Sequence, residues 1–178
     1  AARVAQGMGA RVVVLDRSLD RLRYLDDIFM GRIETVWSSA AALEEQVMDA
    51  DLIIGAVLIP GAAAPKLVSR DLVSKLQKGS VMVDVAIDQG GCFETSKPTT
   101  HDNPIFLENN IVHYCVTNMP GAVPLTATEA LNKVPPSYIK ELANKGIQVA
   151  LDDNKHLKNG LNIKDGFIAH PGVKEALE

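Results

Sequence analysis

The chain has little of what marks several specialised classes of protein. Its 178 residues include only two cysteines, Cys92 and Cys115. Two cysteines cannot build a disulfide framework, and we favour two free thiols, one buried and one half-buried, in a reducing compartment over a single disulfide. The sequence contains no CxxC pair and no Cys/His spacing of the kind that binds zinc, so we expect no metal site.

Charge and long apolar runs are also sparse. The net charge is −4 and no block of basic residues occurs, which argues against nucleic acid as a partner. The apolar runs have the length of strands and none approaches the ~20 residues that span a bilayer, so we expect no membrane interaction. With 47% hydrophobic and 22% charged residues, the composition is that of a globular domain, alone or with an appendage.

Two signals are missing from the beginning of the chain. The glycine-rich GxGxxG motif of dinucleotide-binding proteins does not occur. Residues 1–5 have the pattern of a helix interior, with no Met, no signal peptide and no capping residue before them. We therefore expect that a segment precedes Ala1.

Apolar runs alternate with helical patterns along the first two thirds of the chain. Strands are predicted at 11–15, 34–37, 51–58, 80–87 and 110–116, and helices at 1–9, 19–29, 69–76 and after Ser39, which is expected to be an N-cap. This alternation predicts an α/β fold, a Rossmann-like doubly wound parallel sheet truncated at its N-terminus. Beyond 116 no strand is predicted: 127–132 and 137–145 should be helices, and 155–160 and 163–167 short helices or turns.

Distinctive residues fall where the predicted parallel strands end, which is where such sheets bind ligands. They are Asp16, Ser38, Val57, Leu58, Asp88 and Asn118. In dinucleotide-binding folds, an acidic residue at the position of Asp16 accepts hydrogen bonds from the ribose hydroxyls, and its charge repels the 2′-phosphate of NADP. The alternative is that Asp16 caps the following helix, a role that Ser18 can fill instead.

Asp88 and Asn118 also have a functional and a structural interpretation. Asp88 follows an apolar strand and precedes Gly90 and Gly91, which allow close approach of a ligand; an aspartate before glycine can also simply form a turn. The amide of Asn118 can pair with the nicotinamide carboxamide or form an Asx turn before Pro120. Lys66 and Arg70 could meet phosphates, although a solvated face is favoured, and the histidines show no partnered spacing.

Four segments resemble the alanine dehydrogenase family. They are 51–68 (DLIIGAVLIPGAAAPKLV), 83–94 (VDVAIDQGGCFE), 98–100 (PTT) and 114–124 (YCVTNMPGAVP). The resemblance extends over essentially the whole chain. It implies an NAD-dependent enzyme that reversibly deaminates L-alanine to pyruvate and ammonia, present as a cytoplasmic homohexamer.

The resemblance also implies roles for individual residues. Asp88 matches the family's catalytic aspartate. The residues that match the family's cofactor contacts are Asp16, Arg21, Ser38, Val57, Leu58, Val85, Ala86, Ile87, Asp88, Val116, Thr117, Asn118 and Met119.

The same resemblance divides the chain. Residues 1–124 correspond to an NAD-binding domain without its first strand and glycine loop, and 125–178 to a helical segment that returns to the substrate domain. The family's substrate-binding Arg and Lys and its catalytic His precede Ala1, so this piece alone should be inactive, and 12–15 and 53–56 should flank the missing strand. The alternatives are the related domain of nicotinamide nucleotide transhydrogenase and a non-catalytic dinucleotide-binding module.

Overall fold

A computed structural model describes residues 1–177 of the chain. Up to residue 84 its elements are α1 (Ala2–Gly7), β1 (Val13–Asp16), α2 (Leu19–Phe29), β2 (Glu34–Trp37), α3 (Ala40–Met48), β3 (Leu52–Gly55), α4 (Arg70–Lys75) and β4 (Val81–Asp84). They are followed by β5 (Ile105–Glu108), β6 (Ile111–Tyr114), α5 (Pro124–Leu131), α6 (Pro135–Lys145), α7 (Ile147–Asp153), α8 (Lys155–Asn159), β7 (Ile163–Lys164), β8 (Phe167–Ile168) and α9 (Pro171–Leu177). Single 3₁₀ turns occur at Ile87–Gln89 and Met119–Ala122.

The larger strands form two sheets that are mainly parallel. β1 pairs in parallel with β2, and a second sheet has the order β3-β4-β6-β5, in which only β5 runs antiparallel. The predicted α/β class with parallel strands is therefore confirmed. β1 and β3 each lie at the end of their sheet. That they flank a further strand stays a prediction.

Serine side chains begin three of the helices that connect the parallel strands. The hydroxyls of Ser18, Ser39 and Ser69 accept hydrogen bonds from backbone N–H groups in the first turns of α2, α3 and α4. Such caps satisfy backbone donors that have no partner within the helix. The predicted cap at Ser39 is confirmed, and Ser18 caps α2, which leaves the Asp16 side chain outside that role.

The core lies around β4, between the sheet and the helices α3 and α4. It is a single cluster of buried apolar side chains: Val47, Ala64, Val68, Leu72, Val73, Leu76, Met82, Ala86, Cys92, Phe93 and Ile111. Full burial of one large apolar side chain stabilises a fold by about 1.5–3 kcal/mol. Since Val68, Ala86, Cys92 and Phe93 belong to loops, this burial also fixes the segments that follow β3 and β4.

Several sequence predictions about the elements were wrong. The strands predicted at 51–58 and 80–87 end at Gly55 and Asp84, because the chain leaves the sheet there although the apolar residues continue. β5 was missed; it forms a hairpin with β6 through Asn109 and Asn110, whose φ angles of 53° and 64° suit a type I′ turn.

The segment after residue 116 also differs from the prediction of helices alone. Residues 163–167, predicted as helical or turn, contribute to the antiparallel hairpin β7–β8, and α7 and α9 were not predicted. The hairpin's positive φ angles fall at Asp165 and Gly166, so a two-residue turn reverses the chain there. None of the helices in residues 1–177 is long and apolar enough to cross a membrane.

Candidate functional site

The residues predicted to contact a cofactor lie at or after the carboxyl ends of parallel strands. Asp16 ends β1 and Ser38 follows β2. In the second sheet, residues 57–58 follow β3, residues 85–88 follow β4 and residues 116–119 follow β6. The carboxyl ends of parallel strands meet at one edge of their sheet. Since there are two sheets, the residues form two groups. Asp16 and Ser38, with Arg21 on α2, belong to the first sheet, and the remainder to the second.

Asp16 and Ser38 are neighbours at the edge of the first sheet. The Ser38 N–H donates to the Asp16 carbonyl at 2.9 Å. Asp16 Oδ1 accepts from the Ser18 N–H at 2.8 Å, and Oδ2 has no hydrogen-bond partner among residues 1–177. The partly buried carboxylate therefore keeps one oxygen available to a hydroxyl donor. Arg21 is exposed, with its guanidinium 5.0 Å from the centre of the Tyr24 ring.

The turn after β4 carries Asp88. β4 ends at Asp84, and Val85 continues the hydrogen bonding by donating its N–H to the Gly55 carbonyl at 2.8 Å. Asp88 lies in the 3₁₀ turn and not at the strand end as predicted, and its side chain is exposed. Ala86 and Ile87 are each only 5% exposed, so they offer a ligand mainly their backbone groups.

The carboxylate at the end of β4 is Asp84, which the sequence reasoning missed. It is completely buried. Oδ1 accepts from the Ala86 N–H at 3.0 Å and from Cys92 Sγ at 3.4 Å, and Oδ2 accepts from the Cys92 N–H at 2.8 Å and from Ser96 Oγ at 2.5 Å. The sequence did contain a signal for this site, namely a charged residue inside an apolar run. A carboxylate at such a position is expected to be buried, and a buried carboxylate needs several hydrogen-bond donors around it.

Lys66 contacts the two glycines of the same turn. Its Nζ donates to the carbonyls of Gly90 at 2.6 Å and Gly91 at 2.8 Å. Arg70 forms an ion pair with Glu108 at 2.5 Å. Both residues were expected on a solvated face, and both are exposed. Their side chains also bind groups of the protein, and nothing in the sequence near Lys66 indicates its partners.

The segment after β6 forms the third part of the site. Val116 pairs with Thr99 in an isolated bridge and is only 1% exposed; Thr117 is exposed and Met119 partly buried. Asn118 adopts the turn geometry that was its structural alternative, with Oδ1 accepting from the Gly121 N–H at 3.2 Å. Its Nδ2 remains a donor and Oδ1 keeps a second lone pair, so the predicted pairing of this amide with a carboxamide stays a prediction.

Val57 and Leu58 differ from each other in exposure. Val57 packs against the core, whereas Leu58 is 70% exposed. The loop that follows contacts the C-terminal segment, since a Cβ on Gly61 would lie 2.9 Å from His170 Nδ1 and one on Gly172 would lie 2.5 Å from the Gly61 carbonyl oxygen.

The cysteines and His113 are buried near this site. Both cysteines are free and neither is exposed, so the expectation of one half-buried thiol was wrong. Burial, with a further contribution from Asp84, raises the pKa of the Cys92 thiol to about 12, so this thiol is protonated and able to donate to Asp84. Burial also lowers the pKa of His113, whose Nε2 lies 2.8 Å from Thr95 Oγ1.

Parallel strands with connecting helices, and polar residues at the strand ends, define this protein as a nucleotide-binding domain. The sequence model of the family "Alanine dehydrogenase/PNT, C-terminal domain" matches residues 1–171. The chain belongs to this family of dinucleotide-dependent proteins.

Curated relatives agree with this assignment. The chain is 58% identical over 99% of its length to the alanine dehydrogenase of Halomonas elongata and 52% identical over its full length to that of Mycolicibacterium smegmatis. It spans about half the length of these relatives, 47% and 48% respectively.

Solved structures give the same picture of the fold. An L-alanine dehydrogenase superposes with a TM-score of 0.83 at 47% identity, covering 99% of this chain and 49% of the other. A transhydrogenase from Sinorhizobium meliloti superposes with a TM-score of 0.73 at 20% identity, covering 89% of this chain and 45% of the other. At that identity the second likeness concerns the fold alone.

Proposed function

We propose that this chain is the cofactor-binding half of an NAD-dependent L-alanine dehydrogenase, which reversibly converts L-alanine to pyruvate and ammonia. The observation that carries the proposal is the identity of 50% or more to curated alanine dehydrogenases along the whole chain. The L-alanine dehydrogenase structure, similar over the same span, supports it.

The geometry at β1 fits the adenosine end of NAD. A ribose presents two adjacent hydroxyl donors, and Asp16 has an oxygen without a partner to accept from them. The same carboxylate would repel the 2′-phosphate of NADP, because two negative charges would lie close together in a partly desolvated site. Ser38 and Arg21 are the further polar side chains of this group.

The second sheet fits the nicotinamide end. Asn118 Nδ2 can donate to the carboxamide oxygen, while its Oδ1 is held by Gly121. The buried Gln89 Oε1 has no partner among the described residues and lies in the same turn as Asp88, so it could accept from the carboxamide or another donor. Backbone groups of Val85, Ala86 and Ile87, together with the side chains of Val57, Leu58 and Met119, complete the proposed surface.

NAD, when bound, supplies the acceptor for the hydride that leaves the α-carbon of alanine. Asp88 is the residue of this chain that we assign to proton transfer, since its exposed carboxylate has no hydrogen-bond partner among residues 1–177. The groups that bind the alanine carboxylate and share the proton transfer are expected in the half of the relatives' length that this chain does not span.

The test is an activity measurement on the intact protein. We expect NADH formation that depends on L-alanine, and the reverse reaction from pyruvate and ammonia. Hydride exchange between two nucleotides without an amino acid would instead identify a transhydrogenase, and NAD binding without turnover would identify a non-catalytic module. The homohexamer and the cytoplasmic location implied by the resemblance stay predictions, which sedimentation and localisation of the intact protein would check.

A further inference from the structure

Among residues 1–177, the side chain of Asp84 forms hydrogen bonds only with the segment that follows its own strand. It lies in β4 between Met82 and Ala86, both of which belong to the core. Removing a carboxylate from water is costly unless donors surround it. All its donors here come from residues 86–96: the N–H groups of Ala86 and Cys92, the Cys92 thiol and the Ser96 hydroxyl. The carboxylate therefore ties the two ends of the Asp88 turn together.

The turn is also held through its carbonyl groups. The Ala64 N–H donates to the Gln89 carbonyl at 2.9 Å and the Leu67 N–H to the Cys92 carbonyl at 2.7 Å. Between these two bonds, the ammonium group of Lys66 donates hydrogen bonds to the carbonyls of Gly90 and Gly91. Asp84 and Lys66 thus hold complementary backbone groups of one short segment, with hydrogen bonds that a charge strengthens.

Asp88 itself has no such support. Its side chain makes no hydrogen bond to residues 1–177, so its place is determined by the backbone of the turn. Gly90 and Gly91 have φ angles of 88° and 74°, and without external contacts two glycines give the turn great freedom. A side chain at residue 91 is excluded, because its Cβ would lie 2.8 Å from Asp84 Oδ2.

We propose that Asp84 and Lys66 are positioning residues for Asp88, which they hold in place through the backbone of residues 86–92. The inference rests on the proposed function, in which Asp88 transfers a proton. Reacting groups must be placed closely, and an error of about 1 Å can lower a rate ~100-fold. In this proposal neither residue takes part in the proton transfer itself, and both act on turnover through Asp88.

A double-mutant cycle in the intact protein separates positioning from a general structural role. Lys66 is exposed, so Lys66→Met should fold normally. We expect it to lower kcat by about tenfold or more while KM for NAD changes little. In an Asp88→Asn background the same substitution should have almost no further effect, because there is no proton-transferring carboxylate left to position. Lys78→Met is the matched control, as Lys78 is exposed in a turn away from these contacts.

Two further variants test the Asp84 side. Asp84→Asn keeps the shape but turns one acceptor into a donor, which cannot accept from Cys92 or Ser96. Ser96→Ala removes a single bond to Asp84 and should give a smaller loss of kcat with the same dependence on Asp88. If Asp84→Asn does not fold, Lys66→Met and Ser96→Ala decide the question.

The outcomes distinguish this proposal from the proposed function. If Asp88→Asn retains normal turnover, the role given to Asp88 is wrong and the positioning proposal is overturned with it. If Asp88→Asn lowers turnover but Lys66→Met has no effect, or lowers kcat by the same factor in both backgrounds, only the positioning proposal is overturned. A loss that vanishes in the Asp88→Asn background supports it.

Discussion

Replacing Gly55 with alanine should destabilise the fold at the point where β3 ends. A Cβ at this position would lie 2.7 Å from Phe93 Cζ and closer still to Cys92 Sγ, compared with ~3.5–4.0 Å for an ordinary contact between carbon atoms. Cys92 and Phe93 are 0% and 1% exposed, so neither can move into solvent. Cys92 is also held by the Asp84 carboxylate.

Overfilling a packed core costs about 1–3 kcal/mol, and two immobile neighbours place Gly55→Ala in the upper part of that range. An expected loss of about 2–3 kcal/mol corresponds to a fall in Tm of roughly 4–12 °C for a domain of this size. Denaturant unfolding followed by circular dichroism measures the free energy, and a thermal scan measures Tm. Gly7→Ala is the control, since nothing lies within 4 Å of a Cβ there.

A second substitution tests whether the cause is the overlap with sulfur. Cys92→Ala alone should destabilise by leaving a small cavity. Combined with Gly55→Ala it should cost less than the sum of the two single changes, because the added methyl then occupies the space of the lost sulfur. Unchanged stability of Gly55→Ala, or strictly additive losses, would refute this reasoning.

Three further predictions concern the candidate site and its surroundings. Asp16→Ser should erode an NAD preference that we expect to be about 100-fold or more, equivalent to ~2.7 kcal/mol; kcat/KM with NAD and NADP measures it, and equal use of both by the unaltered protein would contradict it. Asp88→Asn should lower kcat ~100-fold or more with a smaller change in NADH affinity, whereas near-normal turnover would mean that Asp88 only shapes the turn. Because burial lowers the pKa of His113 from its ordinary 6.5, the unfolded state takes up the proton first, and the free energy of unfolding should fall as pH decreases below that value. His113→Gln should remove this slope, and an unchanged slope in unfolding titrations would show that another group causes it.

The sequence predicts the α/β class and the positions of most elements because those signals are local. The period of Leu19, Leu22 and Leu25 indicates α2, and continuous apolar runs indicate the parallel strands. The ends of the strands were less predictable. The apolar run at 51–58 continues beyond Gly55, where the chain leaves the sheet, and β5 directly follows Pro104 and gives no clear pattern.

Residues of the candidate site were predictable only where the end of a strand in the sequence determines their place. Asp16 was placed correctly at the end of β1, since a short strand was followed directly by a charged residue. Asp84 was missed because apolar residues surround it in the sequence. Gly90 and Gly91 instead indicated a ligand site beside Asp88. The contacts of Lys66 join residues 24 and 25 positions apart, and no local pattern reports a pairing of that kind.

The two-residue turn at Asn109 and Asn110 has a consequence for the order in which the sheet assembles. β5 and β6 are adjacent in the chain and antiparallel, whereas each parallel pair requires a crossover. Local hairpins close within microseconds, long before non-local strands meet. We therefore expect β6 to reach β4 with one edge already paired to β5, so that only its other edge is left to pair with β4.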